Sequence, residues 1–349
     1  MPIAASPHSS QHRSPRRFWI AALAGLFATV LLVGTLNWLV DPLWRESGNR
    51  VTGVNFGYDE RTSRIAQLLK APEKYPCVVF GSSVSTILNP GHIGPGCYNL
   101  AFSGGIIEEY TAIARYLEER GYRPRRVFVE IAVLGMYLSP RKSVVKLPPF
   151  VRRNEPLPSL PAYYLSFGTL GLSLRTLAGL SPVLHRFDDE LIGFYPDSGL
   201  PEFRPEAIIS KDYSHLLETT TDGRAPAYHA FRAIWPEAEV TGFLHPVSPW
   251  HIAAYQRDGL LERNLEQVYA VSRLLDSTLD FAVPSPTTAR LSNTYDGLHY
   301  YAPVYEALAR RLGGKELEPG FGMEIRELEW LEYLRAYTEQ LSSLDLSTG

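Results

Sequence analysis

Residues 77–83 read Cys-Val-Val-Phe-Gly-Ser-Ser, a short apolar run that ends in a Gly-Ser-Ser turn. A continuous apolar run that ends at turn residues is typical of a strand buried on both faces of a sheet. The turn places Ser82 and Ser83 at the carboxyl end of that strand. A serine at such a position is a candidate nucleophile if a histidine and an acid lie beside it in the folded chain.

Further strands and helices alternate on either side of this stretch. The predicted strands are 76–80, 98–102, 126–131, 240–244 and 279–283, and the predicted helices are 59–69, 106–120, 260–275, 301–312 and 323–341. Short apolar strands that alternate with amphipathic helices are typical of an α/β fold whose parallel sheet is covered on both faces. In open parallel sheets, sites form at the carboxyl ends of the strands. The Gly-Ser-Ser turn is therefore expected at the edge where a site would form.

The alternation breaks between about residues 139 and 238, where prolines and aromatic residues are frequent. This region is predicted to be an irregular insertion that packs over or beside the sheet. Its aromatic side chains fit two interpretations, a wall on which sugars stack or a local hydrophobic core. The residues concerned are Tyr163, Tyr164, Phe167, Tyr195 and Trp235, with Trp250 just beyond the insertion.

Residues 18–40 contain no charged residue. Twenty-three helical residues at about 1.5 Å each span roughly 34 Å, enough for a bilayer core of about 30 Å. Tryptophans lie towards the two ends, at Trp19, Trp38 and Trp44, and three arginines precede the run. These features predict a signal anchor with a cytoplasmic N-terminus and an extracytoplasmic, periplasmic domain. A cleaved signal peptide is the alternative, although the apolar run is longer than usual for one.

The predicted organisation has five parts. They are a cytoplasmic tail (1–17), a transmembrane anchor (18–40), a linker with a short helix (41–70), an α/β domain with the insertion (71–315) and a C-terminal helix (316–349). The net charge of the 349-residue chain is −3 and its basic residues are scattered, so no nucleic-acid partner is expected. His245 and His251 have no recognised metal-ligand spacing, and we expect neither a metal nor a cofactor.

The chain has two cysteines, Cys77 and Cys97, and each opens a predicted strand. Outside the cytoplasm such a pair can form a disulfide. If the two strands are parallel neighbours, the cysteines lie at the same edge of the sheet. Whether they are close enough to bond depends on strand register, so the sequence leaves this open.

Near the other end of the chain, Asp296 and His299 form an Asp-x-x-His motif after the last predicted strand. These two residues and Ser83 match the components of a catalytic triad for acyl chemistry. In that triad Ser83 is the nucleophile, His299 is the base, and Asp296 is the acid that orients the base. Ser82 and Ser103 are rival nucleophiles. Asp296 alternatively caps the following helix. A second Asp-x-x-His match, Asp212 with His215, lies in the insertion and is interpreted as chance.

Taken together, these segments resemble the SGNH hydrolase (GDSL-like) family. Residues 81–83 match its first block, residues 99–104 (Asn-Leu-Ala-Phe-Ser-Gly) are similar to its second block, and residues 296–299 match its last. The resemblance implies a three-layer, SGNH/flavodoxin-like α/β fold. It also implies Ser83 as the nucleophile and an oxyanion hole made from the backbone N–H groups of Ser83 and Gly104.

The anchored topology and the Gly-Ser-Ser variant look more like DltD-type and alginate-O-acetylation-type proteins than like secreted lipases. This resemblance implies an O-acyltransferase or esterase that acts on a cell-envelope glycan and works with a membrane-bound acyl exporter.

One block departs from the family. The third block, Gly-x-Asn-Asp, supplies an oxyanion donor, but residues 127–132 contain no Asn. Asn293 is a candidate substitute; otherwise the enzyme is slow or the domain is an inactive module that binds or organises envelope polysaccharide. The residues expected to line the site are Ser82, Asn99, Ser103, His245, His251 and Asn293.

Overall fold

The computed structural model describes residues 15–131, 145–182, 184–196, 199–219, 224–315 and 319–346. Most of the predicted tail 1–17 and the predicted start of the insertion at 139 lie outside these residues. In chain order the described strands are β1 (Asn55–Phe56), β2 (Cys77–Phe80), β3 (Cys97–Asn99), β4 (Arg126–Glu130), β5 (Arg186–Phe187), β6 (Gly193–Phe194), β7 (Glu239–Leu244), β8 (Ser277–Asp280) and β9 (Met323–Glu324).

The described helices cover both faces of the sheet and form the N-terminal segment. They are α1 (Pro15–Val40), α2 (Glu60–Lys70), α3 (Ile107–Glu119), α4 (Pro149–Arg152), α5 (Leu160–Tyr164), α6 (Phe167–Leu177), α7 (Glu206–Ile209), α8 (Ala225–Arg232), α9 (Pro249–Arg257), α10 (Leu261–Ser272), α11 (Pro286–Ala289), α12 (Ala302–Leu312) and α13 (Trp330–Ser343). A 3₁₀ turn, Ser83–Ile87, follows β2 directly.

Six strands form one sheet in the order β3-β2-β4-β7-β8-β9. Every neighbouring pair is parallel except β8 with β9. The predicted α/β fold with a mostly parallel sheet is thus confirmed. From β2 the chain moves outward to β3 and then crosses back to β4 on the other side of β2. Ligand sites in open α/β sheets form where the direction of winding reverses in this way, and the Gly-Ser-Ser turn leaves β2 at that point.

Side chains of the central strands alternate between two hydrophobic cores. Val78 and Phe80 of β2 belong to the core that contains α3, α8 and α10. Val79 of β2 and Phe128 of β4 belong to the core on the other face, which contains α12. Burial on both faces explains why these strands read as continuous apolar runs.

The insertion was predicted to be irregular, but its described residues form regular structure. They include helices α4 to α8 and the β5–β6 hairpin. Strand β5 also pairs with β1, which makes a second, three-stranded sheet. Helix α8 packs on the main sheet, since the Phe231 ring lies edge-on to Phe80 at 5.2 Å. Trp235 joins the same core, and Trp250 packs edge-on against Phe203. The local-core interpretation is therefore confirmed for these two tryptophans.

The C-terminal region differs from the single helix predicted over 323–341. Met323–Glu324 form β9, which pairs antiparallel with β8, and α13 begins only at Trp330. The Glu324 carboxylate accepts hydrogen bonds from the Ser277 hydroxyl and the Thr278 N–H. These long-range bonds hold the segment extended despite its helix-compatible sequence. Strand β8 also begins two residues before the predicted start at 279.

Helix α1 is long and apolar enough, by its length and composition, to cross a membrane, and its place near the N-terminus is compatible with a signal anchor or a signal sequence. The side chains of residues 16–32 are exposed, whereas Val33, Asn37 and Val40 are buried. The last two turns of α1 therefore pack against the domain.

Cys77 and Cys97 form a disulfide. They are register partners in the parallel pair β2 and β3, and their Cα atoms lie 4.3 Å apart. Strand register thus answers the question that the sequence left open.

Candidate active site

Ser82 and Ser83 point in different directions because the backbone turns between them. Ser82 is extended, with φ −91° and ψ −166°, and Ser83 begins the 3₁₀ turn Ser83–Ile87. Ser82 is buried and Ser83 is partly exposed. Gly81 is required here because a Cβ would lie 2.6 Å from Ser85 Cβ and 2.9 Å from Glu130 Oε2.

The structure brings Ser83, His299 and Asp296 together in the predicted sequence of contacts. Ser83 Oγ lies 3.3 Å from His299 Nε2, and His299 Nδ1 lies 2.7 Å from Asp296 Oδ2. The first two residues are 216 positions apart in the chain. Each ring nitrogen of His299 therefore faces one partner, the arrangement needed for a base that is oriented by an acid.

The loop that carries Asp296 and His299 is held by its own backbone. Asp296 Oδ1 accepts the N–H groups of Leu298 at 2.9 Å and His299 at 2.7 Å. Burial acts to raise the pKa of Asp296, but its bonds and charge interaction with His299 and these backbone bonds outweigh that effect and lower the pKa. The next helix, α12, has Tyr301 as its N-cap, so the capping alternative for Asp296 is wrong.

Two tyrosines that surround His299 come from separate parts of the chain. The Tyr295 ring stacks on the His299 ring, with centroids 5.5 Å apart and planes 12° from parallel. Tyr195, just after β6, lies edge-on to Tyr295 at 5.2 Å. Tyr195 was among the candidate sugar-stacking residues, whereas Tyr295 gave no signal except its place before the motif. The insertion thus reaches the candidate site through this hairpin.

Glu130, at the end of β4, is a residue whose role the sequence did not reveal. Its carboxylate accepts the Ser82 N–H at 2.9 Å, the Ser82 hydroxyl at 2.7 Å and the Ser85 hydroxyl at 2.5 Å. His245 Nδ1 lies 3.5 Å from Glu130 Oε1. Burial acts to raise the pKa of Glu130, but His245 and the serine donors lower it overall. The only indication of this role in the sequence was that Glu130 is the single acidic residue of a largely apolar strand.

Two predicted site residues therefore belong to a cluster behind the turn. Both Ser82 and His245 are buried, and the Ser82 hydroxyl is bonded to the carboxylate rather than to His299. Through the hydrogen bonds of Glu130 to Ser82 and Ser85, the cluster fixes the buried side of the Gly-Ser-Ser turn.

Ser103 and Gly104 lie beside the turn because the Phe102 N–H donates to the Gly81 carbonyl at 3.0 Å. Gly104 is exposed and has φ +66°. Within the described residues, the backbone N–H groups of Ser83 and Gly104 donate to no protein acceptor. Both groups are thus available for a ligand at this edge.

The Ser103 hydroxyl is bonded elsewhere. It donates to Glu60 Oε1 at 2.8 Å and lies 3.4 Å from His185 Nε2. His185 Nε2 is also 3.3 Å from the same Glu60 oxygen. Burial acts to raise the pKa of Glu60, but His185 and Ser103 lower it overall. His185 Nε2 thus faces both Ser103 and Glu60. Around His299, in contrast, each ring nitrogen faces a different partner.

The two candidate asparagines bind backbone groups. The Asn99 amide donates to the carbonyls of Ser85 and Leu88, each at 2.8 Å. It thereby secures the turn that follows β2. The Asn293 amide donates to the Thr287 carbonyl at 3.0 Å. The structure shows both amides in structural bonds, so Asn293 remains only a prediction as an oxyanion donor.

His251 supports the Asp296–His299 loop from behind. Its Nδ1 lies 3.0 Å from Ser248 Oγ, and a Cβ at Gly297 would come within 2.9 Å of His251 Cε1. The Ser248 N–H donates to the Gly297 carbonyl at 2.8 Å. Burial lowers the pKa of His251 to about 4, so this imidazole is neutral at neutral pH.

The second Asp-x-x-His match does not form an acid–base pair. His215 Nδ1 faces the Asp212 backbone carbonyl at 3.2 Å, and the Asp212 carboxylate accepts the Ser214 N–H. In the described part of the chain, no three His, Cys, Asp or Glu side chains converge in a way that could hold a metal ion.

No protein-family model matches the chain, and no curated protein matches it in sequence.

Proposed function

We propose that this chain is a membrane-anchored, extracytoplasmic serine O-acyltransferase or esterase that acts on a cell-envelope glycan. The observation that carries the proposal is the pair of contacts from His299, 3.3 Å to Ser83 Oγ and 2.7 Å to Asp296 Oδ2. The Ser83–His299 contact does not follow from local sequence, because only the fold brings Ser83 to a loop 216 positions further along the chain.

In the proposed reaction, Ser83 Oγ attacks the carbonyl carbon of an acyl donor while His299 Nε2 takes the hydroxyl proton. The proton then passes to the leaving oxygen as its bond to the acyl carbon breaks. Asp296 keeps the His299 Nδ1–H directed towards itself and stabilises the imidazolium. The N–H groups of Ser83 and Gly104 face the developing oxyanion. Water or a sugar hydroxyl then takes the acyl group by the reverse proton transfers.

The fold class supports the same family. The parallel strands β3-β2-β4-β7-β8 have the 2-1-3-4-5 order of flavodoxin-like sheets, and hydrophobic cores lie on both faces. We therefore extend the α/β assignment to a three-layer, SGNH/flavodoxin-like fold. Helix α1 serves as the anchor in this proposal, with the N-terminus in the cytoplasm.

The substrate class and partner follow from the resemblance to DltD-type and alginate-O-acetylation-type proteins. A membrane-bound acyl exporter would supply the acyl group, and an envelope glycan would accept it. Tyr195 and Tyr295 stand beside His299, and aromatic rings at that place suit contact with a sugar face.

A specific observation favours a second candidate function, an inactive module that binds or organises envelope polysaccharide. At the end of β4, where the family carries an Asn donor in its third block, this chain places Glu130. Glu130 is buried and bonded to Ser82, so it offers no donor to an oxyanion. Loss of one oxyanion donor typically slows acyl transfer by about 10²–10³.

The deciding experiment uses the full chain in detergent with a fluorophosphonate probe, followed by an ester-substrate assay. Labelling of the wild-type chain that is lost when Ser83 is replaced supports the enzyme. A well-folded wild-type chain that neither labels nor hydrolyses esters would overturn the enzyme proposal in favour of the binding module. Protease treatment of spheroplasts tests the topology, because an extracytoplasmic C-terminal tag should be digested.

A further inference from the structure

Helix α6 has the reverse polarity of a surface helix in a water-soluble protein. Thr169, Ser173 and Thr176, at positions i, i+4 and i+7, are buried. Phe167 and Leu174 are 72% and 53% exposed. A helix on a soluble domain normally buries its apolar stripe and exposes its polar one. The reversed arrangement indicates an apolar environment outside α6.

The buried face of α6 contacts α1. Ser173 Oγ donates to Asn37 Oδ1 at 2.9 Å. The Asn37 amide donates to the carbonyls of Tyr164 at 2.7 Å and Ser166 at 3.1 Å, just before α6 begins. At Gly34, a Cβ would lie 3.1 Å from a Leu165 methyl carbon. Small residues and hydrogen-bonding polar side chains at a helix contact are typical of packing inside membranes.

The position of this contact along α1 places it at membrane depth. Trp19 and Trp38 are 19 residues apart, about 28 Å along a helix, which matches a hydrocarbon core of about 30 Å. The guanidinium of Arg50 lies 4.3 Å from the Trp38 ring centroid, a pairing suited to the headgroup region. Gly34 and Asn37 precede Trp38, so they lie at or just inside that boundary.

Exposed apolar residues continue around and beyond α6. We call the set the apolar patch; it comprises Leu165, Phe167, Leu174, Leu177, Leu180 and Leu184. From 160 to 184 the sequence contains one charged residue, Arg175, whose guanidinium lies over the Tyr58 ring at 5.2 Å. A large continuous apolar surface rarely faces water on a soluble domain.

We propose that the apolar patch inserts into the outer leaflet of the membrane that α1 crosses, so that α6 is an interfacial helix of the domain. This inference rests on the proposed anchoring through α1 and does not depend on the Ser83–His299–Asp296 contacts. The bilayer is the occupant that fits, because Leu165 of the patch lies beside Gly34 of the apolar helix α1, and Ser173 of α6 is bonded to Asn37 of α1.

Membrane insertion of the patch has a consequence for the candidate site. The residue after Leu184 is His185, whose Nε2 lies 3.4 Å from Ser103 Oγ, and Gly104 follows Ser103. The turn that carries a proposed oxyanion donor is thus in contact with a segment that leaves the bilayer surface. An acyl donor presented at the membrane would therefore have a short path to Ser83.

The test uses the full chain in vesicles of phosphatidylcholine and phosphatidylglycerol that contain no other protein. Single cysteines, Phe167→Cys and Leu174→Cys, carry a nitroxide spin label whose collisions with oxygen and with a water-soluble nickel complex are measured. Native Cys77 and Cys97 are in a disulfide, so the added cysteine is the reactive thiol. Leu26→Cys in α1 is the control for the anchor, and Leu331→Cys on exposed α13 is the control for water.

We expect labels at 26, 167 and 174 to favour collisions with oxygen and the label at 331 to favour the nickel complex. If 26 favours oxygen while 167 and 174 behave like 331, the anchor stands and the inference is overturned. That outcome would instead favour a protein partner, absent from the vesicles, as the occupant of the patch. If 26 also behaves like 331, the proposed anchoring itself has failed, and the inference with it.

Discussion

The Ser82 hydroxyl donates to Glu130 Oε1 across 2.7 Å, within the buried cluster behind the turn. The same carboxylate accepts the Ser82 N–H, so Ser82 is held at both its backbone and its side chain. A serine bound in this way positions its neighbour, because the fixed peptide leaves Ser83 at the partly exposed face beside His299. The two adjacent serines therefore have separate roles that substitution can distinguish.

We expect Ser83→Ala to abolish covalent labelling by a fluorophosphonate and Ser82→Ala to keep most of it. The second change removes one bond to a buried carboxylate and should lower the free energy of unfolding by about 1–3 kcal/mol. In-gel fluorescence measures the extent of labelling, and urea titration measures the free energy of unfolding. Labelling that survives Ser83→Ala and disappears in Ser82→Ala would show that Ser82 is the nucleophile.

His299→Ala should slow labelling by about 10²–10⁴, the usual contribution of a positioned general base. Asp296→Asn should give a loss within the same range because the imidazole loses its orienting acceptor. The rate of fluorophosphonate incorporation measures both. His215→Ala is the matched control, since His215 lies in the other Asp-x-x-His segment and should label at the wild-type rate. Equal rates for His299→Ala and His215→Ala would remove His299 from the mechanism.

The backbone donor at Gly104 can be tested through its conformation. Gly104 has φ +66° and Gly121 has φ +83°, and at neither would a Cβ meet a heavy atom within 4 Å. Valine at either position should cost about 1–2 kcal/mol of stability because a branched residue resists the left-handed region. Only Gly104→Val should also slow labelling, by about 10²–10³. Equal labelling by both variants would argue against an oxyanion donor at Gly104.

Stability should depend on pH through His251. Burial lowers its pKa to about 4, whereas the unfolded side chain has a pKa of about 6.5. The unfolded state therefore binds more protons between these values, and the free energy of unfolding falls as pH drops from about 6.5 to about 4. The full effect is about 3 kcal/mol. Urea titrations of the wild type and of His251→Asn should diverge in slope across this window; parallel curves would contradict the prediction.

Reduction of Cys77–Cys97 should destabilise the domain without altering the candidate site directly. The bridge closes a loop of 20 residues, for which chain entropy predicts about 3 kcal/mol. Unfolding with and without a reductant measures this cost. The double variant Cys77→Ala, Cys97→Ala is the control, because the reductant should have no effect on it. A wild-type curve that does not move would show that the bridge adds no stability.

Much of the fold could be predicted because both periodicity and turn chemistry are local. The runs at β2, β4 and β7 and the helix α3 were identifiable from apolar spacing alone. The Ser83–His299–Asp296 set was identifiable because a turn after a strand and an Asp-x-x-His motif each have a recognisable pattern, and strand ends share one edge of a parallel sheet.

The remaining features depend on contacts between distant segments. Glu130 lies beneath Gly81 only because β4 pairs with β2 in a register that aligns Phe80 with Val129. Helix α6 lies in the region that was predicted to be irregular, and its contact with Asn37 of α1 determines which of its faces is buried. Strand β9 is two residues long, too short for any periodic signal, and is set by Glu324 bonding to β8.

Strand β9 also has a consequence for association between copies of this chain. Without it, β8 would present a row of unpaired backbone N–H and C=O groups at the edge of the sheet, a template for addition of a foreign strand. Met323–Glu324 occupy that edge in antiparallel orientation. The opposite edge strand, β3, is only three residues long and is cross-linked to its neighbour. Both borders of the six-stranded sheet are thus short strands, which protects them against edge-to-edge aggregation between copies of the chain.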